Sequence, residues 1–96
     1  MATLIKSDGT SEPLILESKT MLKTLQTAVG GYIELLRTTD GNNYLICDEE
    51  GKLKNKPLNE KATDLWSGKN SGDVIVGDVV ICVKKEFEDL DLDENE

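Results

Sequence analysis

The 96-residue sequence predicts an α+β domain: a small, mostly antiparallel sheet of four to six strands covered by one main helix, with one short helix beside it. Three observations carry that prediction. Met21, Leu22, Leu25, Ala28 and Val29 recur at helical spacing and run into Gly30-Gly31. Asp8-Gly9 and Asp40-Gly41 each separate two β-rich runs, the pattern of a hairpin turn. Val79 to Val83 is apolar throughout, as a strand buried on both faces would be.

Taken in order, Thr3 to Lys6 reads as a strand and Leu14 to Leu16, after Pro13, as its hairpin partner. Ser18 is placed to cap the main helix, its hydroxyl meeting an orphan backbone donor. Gly30 stops that helix in the left-handed conformation of a C-terminal cap. Tyr32 to Thr38 and Asn43 to Asp48 form the second hairpin. Leu53 to Leu58 is extended and lysine-rich, with Pro57 suiting an edge strand or a loop. Asn59 caps a short helix over Glu60 to Trp66, where Leu58, Ala62, Leu65 and Trp66 keep helical spacing. Ser67 to Gly72 is a loop, and Gly77-Asp78 a turn or bulge before the last strand.

Domain organisation follows the charge. The net charge is −8, and residues 85–96 hold seven acids against Lys85 alone. Residues 1–84 are therefore read as one nearly neutral domain, and 85–96 as an acidic tail with too few apolar residues to pack, hence disordered. Phe87, Leu90 and Leu92 make that tail either a solubilising appendage or a docking peptide. A chain without a concentrated basic face does not bind duplex nucleic acid through its backbone. No run approaches a membrane span, and no signal-peptide pattern is present, so a cytoplasmic protein is expected. Cys47 and Cys82 lie in apolar runs and read as buried free thiols. The sequence has no histidine, which removes Ser-His, Cys-His and histidine-metal chemistry within one chain. No cofactor or metal is expected.

The junction Leu25-Gln26-Thr27-Ala28-Val29-Gly30-Gly31-Tyr32-Ile33-Glu34 resembles the signature of a bacterial and phage family known as domain of unknown function 3846. Asp48-Glu49-Glu50-Gly51-Lys52-Leu53, then Pro57-Leu58-Asn59 with Ala62-Thr63, then Val76-Gly77-Asp78-Val79, follow in the order of that family. The resemblance runs from Leu4 to Val83 and leaves the acidic tail outside. It implies an accessory protein of phages, plasmids or other mobile elements in a bacterial host. It supplies no reaction and no catalytic residue, and it draws attention to Gln26, Tyr32, Glu34, Asn59 and Thr63.

Each candidate site has a structural alternative. Gly30-Gly31 beside Tyr32 and Glu34 either forms a ligand-approach surface or only caps and turns the chain. Glu34, an acid in an apolar strand, either faces solvent or has a partner; alternation sets Tyr32, Glu34 and Leu36 on one face. Lys52, Lys54 and Lys56 alternate, and with Lys61 and Lys69 they give the one locally basic region. They serve edge protection, anion binding, or docking of the acidic tail. Asn59 opens a helix whose N-terminus, with Lys56 and Lys61 nearby, suits a phosphate, or it merely caps. Trp66 is either core or a rim indole.

These residues point to a small non-enzymatic binding protein with Tyr32, Glu34, Lys54, Lys56, Asn59, Lys61 and Trp66 as candidate ligand-binding residues. It would sequester a small anionic ligand, such as a signalling nucleotide, in a pocket that a homo-oligomer could share, or inhibit a host protein. The alternatives are a structural subunit of a phage or plasmid assembly and a carboxylate/metal hydrolase.

Overall fold

The computed structural model describes residues 2–89. Its elements are β1 (Ala2–Ile5), β2 (Ser11–Leu14), α1 (Met21–Val29), β3 (Ile33–Arg37), β4 (Asn43–Asp48), α2 (Glu60–Leu65), β5 (Val79–Val83) and α3 (Lys84–Asp89). The five strands form one antiparallel sheet in the order β2-β1-β5-β4-β3. The last strand thus inserts between the two hairpins, pairing Val79 with Ile5 on one side and Val80 with Ile46 on the other. Its β-branched run suits that place, because side chains of a central strand pack on both faces. Val80 and Cys82 face one way and Val79 the other, and all three are buried.

One face is covered by α1. Met21, Leu25 and Val29, one turn apart, pack on Leu4, Ile46, Val80 and Cys82. Each such fully buried side chain stabilises the fold by about 1.5–3 kcal/mol relative to exposure. Gly30 closes the helix in the left-handed conformation (φ 83°), its N–H donating to Gln26 O, as the sequence led us to expect. The opposite face carries a smaller cluster of Leu45, Cys47, Ala62, Ile75 and Val79, covered by α2 and irregular chain. Cys47 and Cys82, both buried, lie on opposite faces and cannot meet.

Four local expectations are corrected. The main helix starts at Met21, and its N-cap position is Thr20, without a side-chain capping bond, instead of Ser18. The chain already turns there, Thr20 N–H donating to Glu17 O. The second strand is Ser11–Leu14, displaced toward the Asp-Gly turn so that Pro13 lies inside it. Residues 53–58 are not an extended strand. Residues 51–55 form a tight turn in which Asn55 takes φ 58°, and Leu58 alone makes a bridge, to Val76. Finally, the first part of the acidic tail is folded: α3 seats the buried Phe87 edge-on against Tyr44, with ring centroids 5.2 Å apart. The domain therefore extends past residue 84; Leu90 and Leu92 lie outside the described residues.

Candidate functional site

Two constellations gather the polar residues that the sequence singles out, one on each face of the sheet. On the helical face, Asp48 ends β4 one residue past Cys47, so alternation turns its carboxylate toward the C-terminus of α1. Lys54 and Lys56 reach it from the tight turn, with Nζ at 2.9 and 2.7 Å from Oδ2. The N–H of Glu50 donates to Oδ1 at 2.9 Å. The same ammonium groups donate to the helix end, Lys56 to Val29 O at 2.5 Å and Lys54 to Gly30 O at 3.1 Å. Cations here satisfy terminal carbonyls and the negative end of the helix dipole. Burial raises the Asp48 carboxyl, but the bonds from Lys54, Lys56 and the Glu50 amide and the charge of Lys56 outweigh it and hold the pKa at about 2. The double glycine follows from this clamp. A Cβ on Gly31 would stand 2.6 Å from Asp48 Oδ1, and one on Gly30 would stand 2.9 Å from Lys56 Nζ. The close approach that two glycines permit is thus the protein's own clamp.

Asn59 is equally internal. It is 1% exposed. Its Oδ1 accepts from the Ala62 N–H at 3.0 Å, and its Nδ2 donates to Ile5 O at 3.0 Å and Gly77 O at 2.8 Å. The side chain holds α2, β1 and the Gly77 turn together, and it occupies the helix N-terminus where a phosphate was expected. Lys61 Nζ donates to Gly9 O, tying α2 to the first hairpin turn. Thr63 Oγ1 donates to Asn59 O and accepts from the Ile75 N–H. Tyr32 is exposed, in a shallow recess beside Gln26 and Lys54.

On the other face, a cleft of about 230 Å³ opens over β3 and β4. Its floor is Glu34, Leu36 and Cys47, and Trp66 forms one wall. Lys52 and Asp73 bridge its rim as an ion pair. Leu53 and Val74, both exposed, add an apolar margin. Glu34 and Glu49 form no ion pair among the described residues, so the cleft is acidic. Burial, and then the charges of Glu34 and Asp48, push the Cys47 thiol up to about 12. Among the described residues no group of three or more acids and cysteines could hold a metal ion.

Of the seven candidate residues, the structure therefore brings Glu34 and Trp66 together, leaves Tyr32 exposed beside Lys54, and engages Lys54, Lys56, Asn59 and the exposed Lys61 with the protein's own carboxylate and backbone. Sequence reasoning missed Glu49, Leu53 and Val74 as parts of one cleft. The available signal was two large apolar side chains in segments otherwise built of turn residues.

The geometry defines a small α+β domain with an acidic, partly apolar cleft on the sheet face away from its main helix. The chain belongs to the family described as domain of unknown function (DUF3846), whose model matches residues 1–95 and so takes in the acidic tail. No curated protein and no solved structure matches it. No helix among the described residues is long and apolar enough to cross a membrane.

Proposed function

We propose that this is a non-enzymatic binding protein that works in a bacterial cytoplasm by occupying a host factor through the open-face cleft. The supporting observation is the composition of that cleft: an indole and apolar margin beside the carboxylates of Glu34 and Glu49, with Lys52 neutralised by Asp73. Such a site takes a cationic or donor-rich group on an apolar stem, as an arginine or lysine side chain of a partner provides. The lysines that suggested an anionic ligand are engaged by Asp48 and the α1 carbonyls, which shifts the favoured ligand from anion to cation. The resemblance to accessory proteins of phages and mobile elements agrees with a host target.

A thermal-shift panel tests this. N-acetyl-arginine amide and agmatine should raise the melting temperature of the full chain at low salt, and Trp66→Ala should remove the response. Mono-, di- and cyclic nucleotides should give none. A nucleotide response that survives Trp66→Ala would exclude the cleft as the ligand site. A ligand at ten times its dissociation constant adds about 1.4 kcal/mol, several degrees for a domain of this size.

A further inference from the structure

The two edges of the sheet differ in what they offer a passing strand. In β2, Ala2 pairs with Leu14, Thr3 with Pro13 and Leu4 with Glu12, and the Lys6 N–H donates to Thr10 O in the same series. Glu12 and Leu14 thus point their backbone groups at β1, while Ser11 and Pro13 point theirs outward. Pro13 has no N–H, so that edge is blocked at its middle. In β3, Tyr32 O accepts from the Glu49 N–H and the Thr38 N–H donates to Asn43 O. These bonds fix the phase: Glu34 and Leu36 bond toward β4, and Ile33, Leu35 and Arg37 face outward. The chain itself begins a sixth strand there. Ser67 N–H donates to Arg37 O, Thr39 N–H donates to Leu65 O, and Thr38 bridges Trp66 in antiparallel fashion. It turns away after Ser67. Among the described residues nothing bonds the outward N–H and C=O of Ile33 and Leu35.

We propose that this open half of β3 receives an extended segment of another polypeptide as a sixth strand, with a lysine or arginine directly opposite Glu34. The proposal rests on the cleft binding proposed above and names the form its partner takes. A residue opposite Glu34 shares its face, so its side chain enters the cleft beside Glu34 and Glu49. Its two neighbours fall on the other face, next to Leu35, which is 41% exposed, so they are apolar. The partner segment therefore reads apolar–basic–apolar, continuing the antiparallel direction of Leu65–Ser67. A second copy of this chain fits poorly. Pairing Ile33 with Leu35 across a two-fold axis sets the two Glu34 carboxylates opposite each other, where like charges destabilise. Shifting that register toward the end of β3 runs into Ser67.

Three capped heptapeptides test this on the isotope-labelled full chain: Ser-Thr-Val-Lys-Val-Thr-Ser, its lysine-to-glutamate version, and the lysine peptide N-methylated at both valines. The lysine peptide should slow amide exchange at Ile33 and Leu35 and change Trp66 fluorescence. The other two should bind at least tenfold more weakly, and Glu34→Lys should reverse the preference for lysine over glutamate. Leu35→Pro removes only an outward-facing donor, so it should leave the β3–β4 ladder intact and abolish binding. Undiminished binding of the N-methylated peptide overturns strand addition, with or without a folded Leu35→Pro variant. A Trp66 response without protection at Ile33 and Leu35 also overturns it, while leaving cleft binding standing. No response to millimolar peptide, by either readout, overturns both. Sedimentation showing a dimer that protects the same two amides overturns it in favour of a second copy.

Discussion

At the scale of single residues, Asp48 and Gly31 decide how the helical face is closed. Asp48 is a buried carboxylate with two ammonium partners. Asp48→Asn leaves Lys54 and Lys56 uncompensated beside helix carbonyls, and it should lower the unfolding free energy by about 1–3 kcal/mol in urea. The pH dependence follows from the depressed pKa. The folded carboxyl titrates at about 2 against an ordinary value of 3.8. Its contribution is complete above 3.8 and is lost as pH falls through about 2. Acid unfolding followed by circular dichroism should show that loss in the wild type and lack it in Asp48→Asn. Gly31→Ala drives a methyl into Asp48 and Lys54, and it should cost about 1–3 kcal/mol, read as a lower urea midpoint at unchanged slope. The glycine pair, the acid and the two lysines stood out in the sequence as separate motifs. That they form one clamp was not legible, because their meeting depends on the turn at residues 51–55 and on Asn55 in the left-handed region.

At the scale of elements, what the sequence made plain is what local chemistry decides. The α1 stripe ends at its glycine, the Asp-Gly hairpins form, Asn59 caps α2, and β5 lies at the centre. The errors fall where tertiary contact overrides composition. Lys52 to Leu58 has the alternation of an edge strand, yet its lysines are drawn to Asp73, Asp48 and the α1 carbonyls, and the chain curls to deliver them. The acidic tail of residues 85–96 looks unable to pack, yet its first residues lie in α3, where Phe87 is buried. Phe87 fills the space beside Tyr44, and Tyr44 Oη donates to Glu88 at 3.0 Å. Phe87→Ala should therefore cost about 3–5 kcal/mol of stability, a loss that a merely solubilising tail would not show on thermal unfolding. Asn59→Ala removes a cap and the amide donor that Ile5 O and Gly77 O share, and it should cost about 2–4 kcal/mol by the same measure.

At the scale of the whole molecule, the sheet divides labour between its faces. One face is sealed by α1 and α3, with Lys54 and Lys56 locked into that seal. The other is covered by a six-residue helix and turns, and it keeps an acidic cleft beside a stretch of β3, Ile33 to Leu35, whose outward backbone groups nothing bonds among the described residues. The candidate site was half legible. Glu34 drew notice as an acid in an apolar strand and Trp66 as the lone indole, but no spacing in the sequence joins residues 34, 49, 66 and 74. In the proposed function the lysines are structural and the acidic face is the one that binds. Amide chemical-shift mapping of the full chain, titrated separately with N-acetyl-arginine amide and with inorganic pyrophosphate, tests it most directly. The arginine compound should move Glu34, Leu36 and the Trp66 indole, and pyrophosphate should leave Lys54, Lys56 and Asn59 unmoved. Saturable shifts of those three with pyrophosphate, and a silent cleft with the arginine compound, would contradict it.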